Sequence, residues 1–314
     1  MRDPNLLRTS RELFLSVITT GAGDLPTWVI DRLTSLLAEE EVEAGRRLFA
    51  AGEPVELIYF MREGRIQLSS GDAPPWIYEG RWVIGPADAV LDRPYSRTGD
   101  ALTNLSLLKV PAEDWLELVE DSFELARGAV AASVQRLADL EARLWSTQED
   151  PRGRVMAPTR ADRGPLSFFE RLATFAEVGL FRVAGVQVLA DLVSLVEEQT
   201  FAPGERIWAR GESTGRTFLV VEGEVVADRR DPAVTVRFGP GSGVAGVASL
   251  GDAAKMWEAR AVVETRTLSL RLEDWFDEME EHFDLVRSAL GGLALLRDEV
   301  VLELARGKRE LVLE

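Results

Sequence analysis

"EVEAGRRLFAAGEPVELIYFMREGRIQL", residues 41–68, lies over "TFAPGERIWARGESTGRTFLVVEGEVVA", residues 200–227, without a gap. Gly45 falls on Gly204, Gly52–Glu53 on Gly211–Glu212, and Glu63–Gly64 on Glu222–Gly223. Further along, "EDWLELVEDSF" (113–123) is echoed by "EDWFDEMEEHF" (273–283), and Ala101 and Leu108 fall on Ala261 and Leu268. The chain therefore carries two copies of one module, and in a chain of 314 residues each copy is long enough to bury its own core.

Within each copy the pattern is that of sheet. "LIYFMREGRIQL" reads as two short strands, Leu57–Met61 and Arg65–Leu68, bent at Glu63–Gly64, where a residue without a side chain suits a tight turn. "TFLVVEGEVVA" repeats this around Gly223. Short strands punctuated by glycine at even spacing predict a sandwich or barrel, not a parallel α/β sheet. Helical pattern brackets both sheets. "LPTWVIDRLTSLLAEE" (25–40) and "VQVLADLVSLVEE" (186–198) place apolar residues at three- and four-residue steps before the first strand. At each Glu-Asp-Trp the chain turns helical again, with its carboxylates in the first turn, where the helix dipole favours them. The fold class is thus mainly β with flanking helices (α+β). Expected boundaries are an N-terminal helical segment (1–25), a first domain (26–145), a linker (146–166) and a second domain with a C-terminal helix (167–314).

The ordered set of motifs resembles the cyclic nucleotide-binding domain, the barrel of catabolite-activator-type regulators and protein kinase regulatory subunits. Gly52–Glu53, Gly64 and Leu108–Trp115 carry the resemblance in copy one, and Gly211–Glu212, Gly223 and Leu268–Trp275 in copy two. It implies two tandem jelly-roll-like β-barrels, each with a phosphate-binding cassette of the form FGELALLxxxPRAATV. In that cassette an Arg and backbone N–H groups hold the cyclic phosphate, and the Glu accepts a hydrogen bond from the ribose.

Neither copy keeps that pattern. Copy one reads "VIGPADAVLDRPYSRTGDA" (83–101), which sets Pro86 at the Glu position after Gly85 and Tyr95 at the Arg position. Arg93 and Arg97 lie nearby as substitute anion partners or as solvated surface charges. Copy two reads "GVAGVASLGDAAKMWEARA" (243–261), with Val247 after Gly246 at the Glu position and Lys255 at the Arg position. Lysine serves phosphate as a point charge but lacks the planar fork of arginine. The expectation is two retained barrels whose ligand chemistry has eroded, with no cofactor and a cyclic nucleotide as the one ligand to test.

Composition excludes several other classes. The 53 carboxylates against 36 Lys and Arg give a net charge of −17, which opposes contact with nucleic-acid phosphates. After Phe283 there is too little chain for a helix-turn-helix. No apolar run approaches the roughly 20 residues of a membrane span, and the charged start "MRDPNLLRTSRELF" is no secretory signal. With no Cys, a cytoplasmic location is expected. His282, the only histidine, sits in the acidic run "DEMEEHFD" and reads as a surface residue. "GPGSGVAG" (239–246) lacks the Gly-Lys-Ser/Thr ending of a nucleotide loop. No catalytic or metal-binding constellation emerges, so the protein is read as a non-enzyme.

What remains is association with other proteins. "AVAASVQRLADLEARLW" (129–145) spaces Val130, Leu137 and Leu144 by seven with Val134 between, a seam for a homo-oligomer or a stripe packed on its own barrel. "NLLRTSRELFLSVI" and the C-terminal helix, with Leu293, Leu296, Val300 and Leu304, are similar candidates. The reading is a regulatory or scaffold protein acting on a protein partner that the sequence does not identify. The alternative is a small-ligand sensor that grips a cyclic mono- or dinucleotide through altered contacts.

Overall fold

The computed structural model describes residues 25–71, 73–145, 164–178, 181, 184–212, 215–230, 233–244, 257–306, 308 and 310–313. The chain divides into two compact units, Met1–Ala132 with Arg297–Glu314, and Ser133–Leu296.

In the first unit, α1 (Thr27–Leu36) precedes β1 (Ala38–Val42), β2 (Arg47–Phe49), β3 (Leu57–Glu63), β4 (Arg65–Ser70), β5 (Ala73–Glu79) and β6 (Trp82–Ile84). The short helix α2 (Pro86–Val90), β7 (Thr98–Ala101), β8 (Leu105–Pro111) and α3 (Ala112–Asp121) complete the module. One sheet runs β1-β8-β3-β6 and the other runs β5-β4-β7-β2, with every pair antiparallel. The helix expected over 25–40 stops at Leu36, because Ala38–Val42 pairs with β8 in register with Leu105–Lys109. Three consecutive glutamates thus lie in an edge strand, and Glu39, Glu40 and Glu41 meet Arg62 and Lys109 there. The turn glycine behaves as expected. Gly64 has φ 112°, and a Cβ on it would lie 2.5 Å from the Asn104 carbonyl oxygen.

In the second unit, α5 (Phe168–Ala176) and α6 (Val186–Ser194) precede β9 (Glu197–Phe201), β10 (Arg206–Trp208), β11 (Arg216–Glu222) and β12 (Val225–Arg230). Then come β13 (Ala233–Phe238), β14 (Gly243–Val244), β15 (Glu258–Ala261), β16 (Thr265–Arg271) and α7 (Leu272–Glu281). Its sheets run β9-β16-β11-β14 and β13-β12-β15-β10. Strand for strand this is the order of the first unit, so the repeat in the sequence is a repeat of topology. Even the irregularities recur: β3 shifts register against β8 between Met61 and Glu63, and β11 does so against β16 between Val220 and Glu222. The helix expected over 186–198 ends at Ser194, again because the acidic residues after it enter a strand.

The repeated Gly-Glu has a local explanation. The Glu53 carboxylate accepts from the Ala50 backbone N–H at 2.8 Å, and Glu212 accepts from Ala209 at 2.7 Å. Each glutamate closes its own turn, satisfying a backbone donor that the bend would otherwise leave open. Trp115 and Trp275 are both buried, set edge-on to Phe60 and to Phe181 at 5.5 and 5.9 Å. They anchor helix to core.

Two long helices remain, α4 (Phe123–Trp145) and α8 (Phe283–Ala305). Val130, Val134, Leu137 and Leu144 are buried within the single chain, so that stripe is not a free seam. Leu293 and Leu304 are likewise buried. The N-terminal "NLLRTSRELFLSVI" lies outside the described residues.

The expected second domain ran to residue 314. The structure instead places Arg297–Glu314 with the first unit, because β17 (Leu311–Leu313) pairs in parallel with Trp76–Tyr78 of β5. Leu311 and Leu313 bury their side chains there, and Glu310 binds Arg65 at 2.8 Å. Among the described residues no helix is long and apolar enough to cross a membrane, no cluster of His, Asp and Glu could hold a metal ion, and no helix-turn-helix is evident.

Candidate ligand pocket

The cassette of the first unit starts where β6 ends. Gly85, with φ 102°, turns the chain, and a Cβ there would meet the Leu57 carbonyl oxygen at 3.0 Å. Pro86 then takes the first position of α2, where its missing N–H costs nothing. Asp88, buried, organises the loop that follows. Its carboxylate accepts from Arg93 Nε at 2.6 Å and from the Ser96 backbone N–H and hydroxyl at 3.1 Å each. Arg93 also lies 4.0 Å from Asp298 on α8. It is therefore engaged by protein carboxylates.

Tyr95, at the position where the resembled family has its phosphate-binding Arg, points inward. Its ring stacks on Phe49 with centroids 4.1 Å apart, and its hydroxyl donates to the Leu57 carbonyl at 2.7 Å. Its backbone is tied to the Gly52–Glu53 turn in both directions, at 2.9 Å each. Burial raises the pKa of its phenol, with Tyr59, Asp88 and Glu53 adding to the effect.

Arg97 lies over the indole of Trp76, its guanidinium carbon 3.4 Å from the ring centroid. Its Nη1 is buried with no hydrogen-bond partner among the described residues, and so is Nε1 of Trp76. Burial lowers the Arg97 pKa, against the opposing pull of Asp298 and Tyr78. Arg297 and Asp298 arrive from α8 and are joined by a 2.7 Å ion pair. Burial works against the charge on Arg297, but Tyr78 and Asp298 outweigh it and its pKa is raised.

Between these groups lies a cavity of about 40 Å³, lined among others by Trp76, Tyr95, Arg97, Arg297 and Asp298. Pockets for drug-sized ligands run to roughly 300–1,000 Å³. The space amounts to a few waters' worth of volume.

Gly85, Pro86, Tyr95 and Arg97 thus meet at one cavity, and Arg93 stands beside it behind Asp88. Gly246, Val247 and Lys255 of the second cassette lie outside the described residues. Near that cassette, Trp257 packs on a core of Trp208, Phe218, Val220 and Val244, and its carbonyl accepts from Trp208 Nε1 at 2.9 Å. Sequence reasoning missed Trp76, Asp88, Arg297 and Asp298. Asp88 had a signal, an acid in the first turn after a Gly-Pro helix start. Arg297 and Asp298 had none, being separated from the cassette by most of the chain.

Residues 39–122 match the family model for the cyclic nucleotide-binding domain, which spans the first barrel. No curated protein matches the chain. Among solved structures, the regulatory subunit of a cAMP-independent protein kinase A from Trypanosoma brucei is 13% identical, covering 90% of this chain and 91% of that one with a TM-score of 0.38. The corresponding subunit from Trypanosoma cruzi, bound to guanosine, is 14% identical over 88% and 84%, with a TM-score of 0.36. The N-terminal domain of a transcriptional regulator from Streptomyces coelicolor A3(2) is 23% identical, covering 39% of this chain and 90% of that one, with a TM-score of 0.36.

Proposed function

We propose that this protein is a non-enzymatic regulatory or scaffold protein of the cytoplasm, built on two cyclic nucleotide-binding-like barrels and working through protein contacts. One observation supports the reading: the side chain at the cassette's arginine position, Tyr95, is turned into the first barrel's pocket and held there by Phe49 and the Leu57 carbonyl. Pro86 has no carboxylate to offer a ribose, and Arg93 is engaged by Asp88. Seating a nucleotide there means displacing a stacked aromatic ring.

Titration calorimetry on the full chain with cyclic AMP, cyclic GMP and cyclic di-GMP tests this. No heat of binding up to millimolar ligand is expected. Micromolar binding of any of them that disappears in Lys255→Ala or Arg97→Ala would establish the other reading, a nucleotide sensor with altered contacts.

A further inference from the structure

One strand of the first unit stands outside the repeat. Both copies build the same eight strands in the same order, and in the second unit β13 ends its sheet with no further strand beyond it among the described residues. In the first unit the equivalent edge, β5, carries β17 as a fifth strand. β17 is thus an occupant of a sheet edge and not a member of the barrel. The edge offers it a narrow window. β5 reads "APPWIYE", and Pro74 and Pro75 have no N–H to give a neighbouring strand. Past these prolines, which blunt the edge, Trp76–Tyr78 are the three residues that β17 pairs. The occupant is defined at three positions. Leu311 and Leu313 are 1% and 2% exposed, while Val312 between them is only half-buried. Glu310, just before the strand, binds Arg65 at 2.8 Å, and Arg65 also lies 3.2 Å from Glu79. The edge therefore reads an acid followed by two aliphatic side chains at alternate positions, on top of main-chain pairing that any extended segment supplies. Only five residues, 306–310, separate β17 from the end of α8. A contact of three ladder residues and two leucines is one that a second strand of the same chemistry can replace.

We propose that the β5 edge is a docking site for an extended segment of a partner protein, of the form acid–aliphatic–any–aliphatic. The chain's own β17 occupies that site until such a segment displaces it. The inference deepens the proposed function, which works through protein contacts, by naming a surface and a partner chemistry. The partner strand adds parallel to β5, seats its acid on Arg65 and buries its two aliphatic side chains where Leu311 and Leu313 lie. The tail thereby sets a threshold, because a tethered strand competes at an effective concentration on the order of millimolar.

The test uses the full chain and a fluorescein-labelled peptide of its own tail, GKRELVLE (307–314), followed by anisotropy. Leu311→Asp in the chain frees the edge and should bind the peptide saturably. The parent chain should bind it about 10-fold more weakly, since its own strand competes at about millimolar effective concentration. Peptide added to the variant should slow hydrogen exchange at Trp76–Tyr78 and leave β16 as it was. A peptide carrying Glu310→Lys should bind about 3-fold more weakly, and Arg65→Gln in the chain should abolish that difference. Leu311→Ala releases the strand less fully without charging the core, so it serves if the aspartate variant does not fold. Equal affinity for parent and variant, absence of peptide binding, or protection at other amides overturns the proposal. Dimers of the parent chain that exchange their tails would assign the edge to a second copy and overturn it too. Cyclic nucleotide binding at micromolar concentration sinks the proposed function and leaves the peptide result standing, whereas failure of the peptide sinks the docking edge alone.

Discussion

Tyr95 and Phe49 stack inside the first barrel with ring centroids 4.1 Å apart and planes 17° from parallel. The pair joins the cassette to β2 and lines the cavity there, so the contact helps to hold the first unit together. Tyr95→Phe keeps the stack and loses the bond to the Leu57 carbonyl. About 1 kcal/mol of stability should go with it in denaturant unfolding. Tyr95→Ala should cost about 3–5 kcal/mol, because a large ring leaves a cavity behind it. If Tyr95→Ala unfolds like the parent chain, the packing account of the pocket is wrong.

Alkali should cost the protein stability through two buried phenols. Burial pushes the Tyr59 phenol up to about 12 and raises Tyr95 as well. A folded-state pKa above the unfolded value of about 10 means the folded chain holds its proton longer. That stabilisation is whole below pH 10 and is lost progressively as pH rises through 12. Absorbance titration of the parent chain beside Tyr59→Phe and Tyr95→Phe reads each phenol by difference. Each variant should lose a phenol that ionises late in the folded protein, and loss of one that ionises at about 10 would refute the burial argument.

In the second unit, Arg266 is buried and binds Glu198 and the Gly164 carbonyl. Glu198 also accepts from the Leu166 N–H at 2.9 Å. Although burial works to raise the Glu198 pKa, these hydrogen bonds and charges lower it. Glu198→Gln leaves a buried guanidinium without its counterion and should cost about 3 kcal/mol. The wild type should lose this contribution as pH falls below the ordinary glutamate range, and the variant should not. Parallel acid unfolding curves for the two proteins would count against the pair.

Gly64 and Gly223 hold equivalent turns, with φ 112° and 89°, and a Cβ on either would sit 2.5 Å from a backbone oxygen. Alanine at each should cost about 2 kcal/mol or more from strain and clash together. Similar losses at the two sites, read by thermal unfolding, would support equivalent turns in the two copies; alanine tolerated at either would not.

The tail strand makes a further claim. Leu311→Asp sets a charge where the structure buries an apolar side chain, so β17 should detach. Hydrogen exchange should then quicken at the amides of Trp76–Tyr78 and leave β16 protected. Unchanged exchange at β5 would show that the parallel pairing does not hold in solution.

Much of this architecture is written in short-range pattern. Glycines at positive φ, alternating strands and the Glu-Asp-Trp helix starts are local features, and their recurrence fixes two equal modules. Helix ends were less legible. Ala38–Val42 carries no apolar alternation, and only its pairing with β8 makes it a strand. The pocket was half legible: the Pro86 and Tyr95 substitutions are visible by spacing, but the partners that decide their effect are distant. Nothing near residue 97 announces Trp76 as its platform or Asp298 as its neighbour. Such contacts come from tertiary packing, which periodicity does not encode.

The parallel pairing of Leu311–Leu313 with Trp76–Tyr78 also bears on how the molecule is made. The edge of β5 leaves the ribosome more than 200 residues before the strand that covers it. At translation rates of about 5–20 residues per second, that edge waits on the order of 10–50 s for its cover. During that interval three large hydrophobic side chains stand along an open ladder of backbone donors and acceptors, the kind of surface that holding chaperones shield.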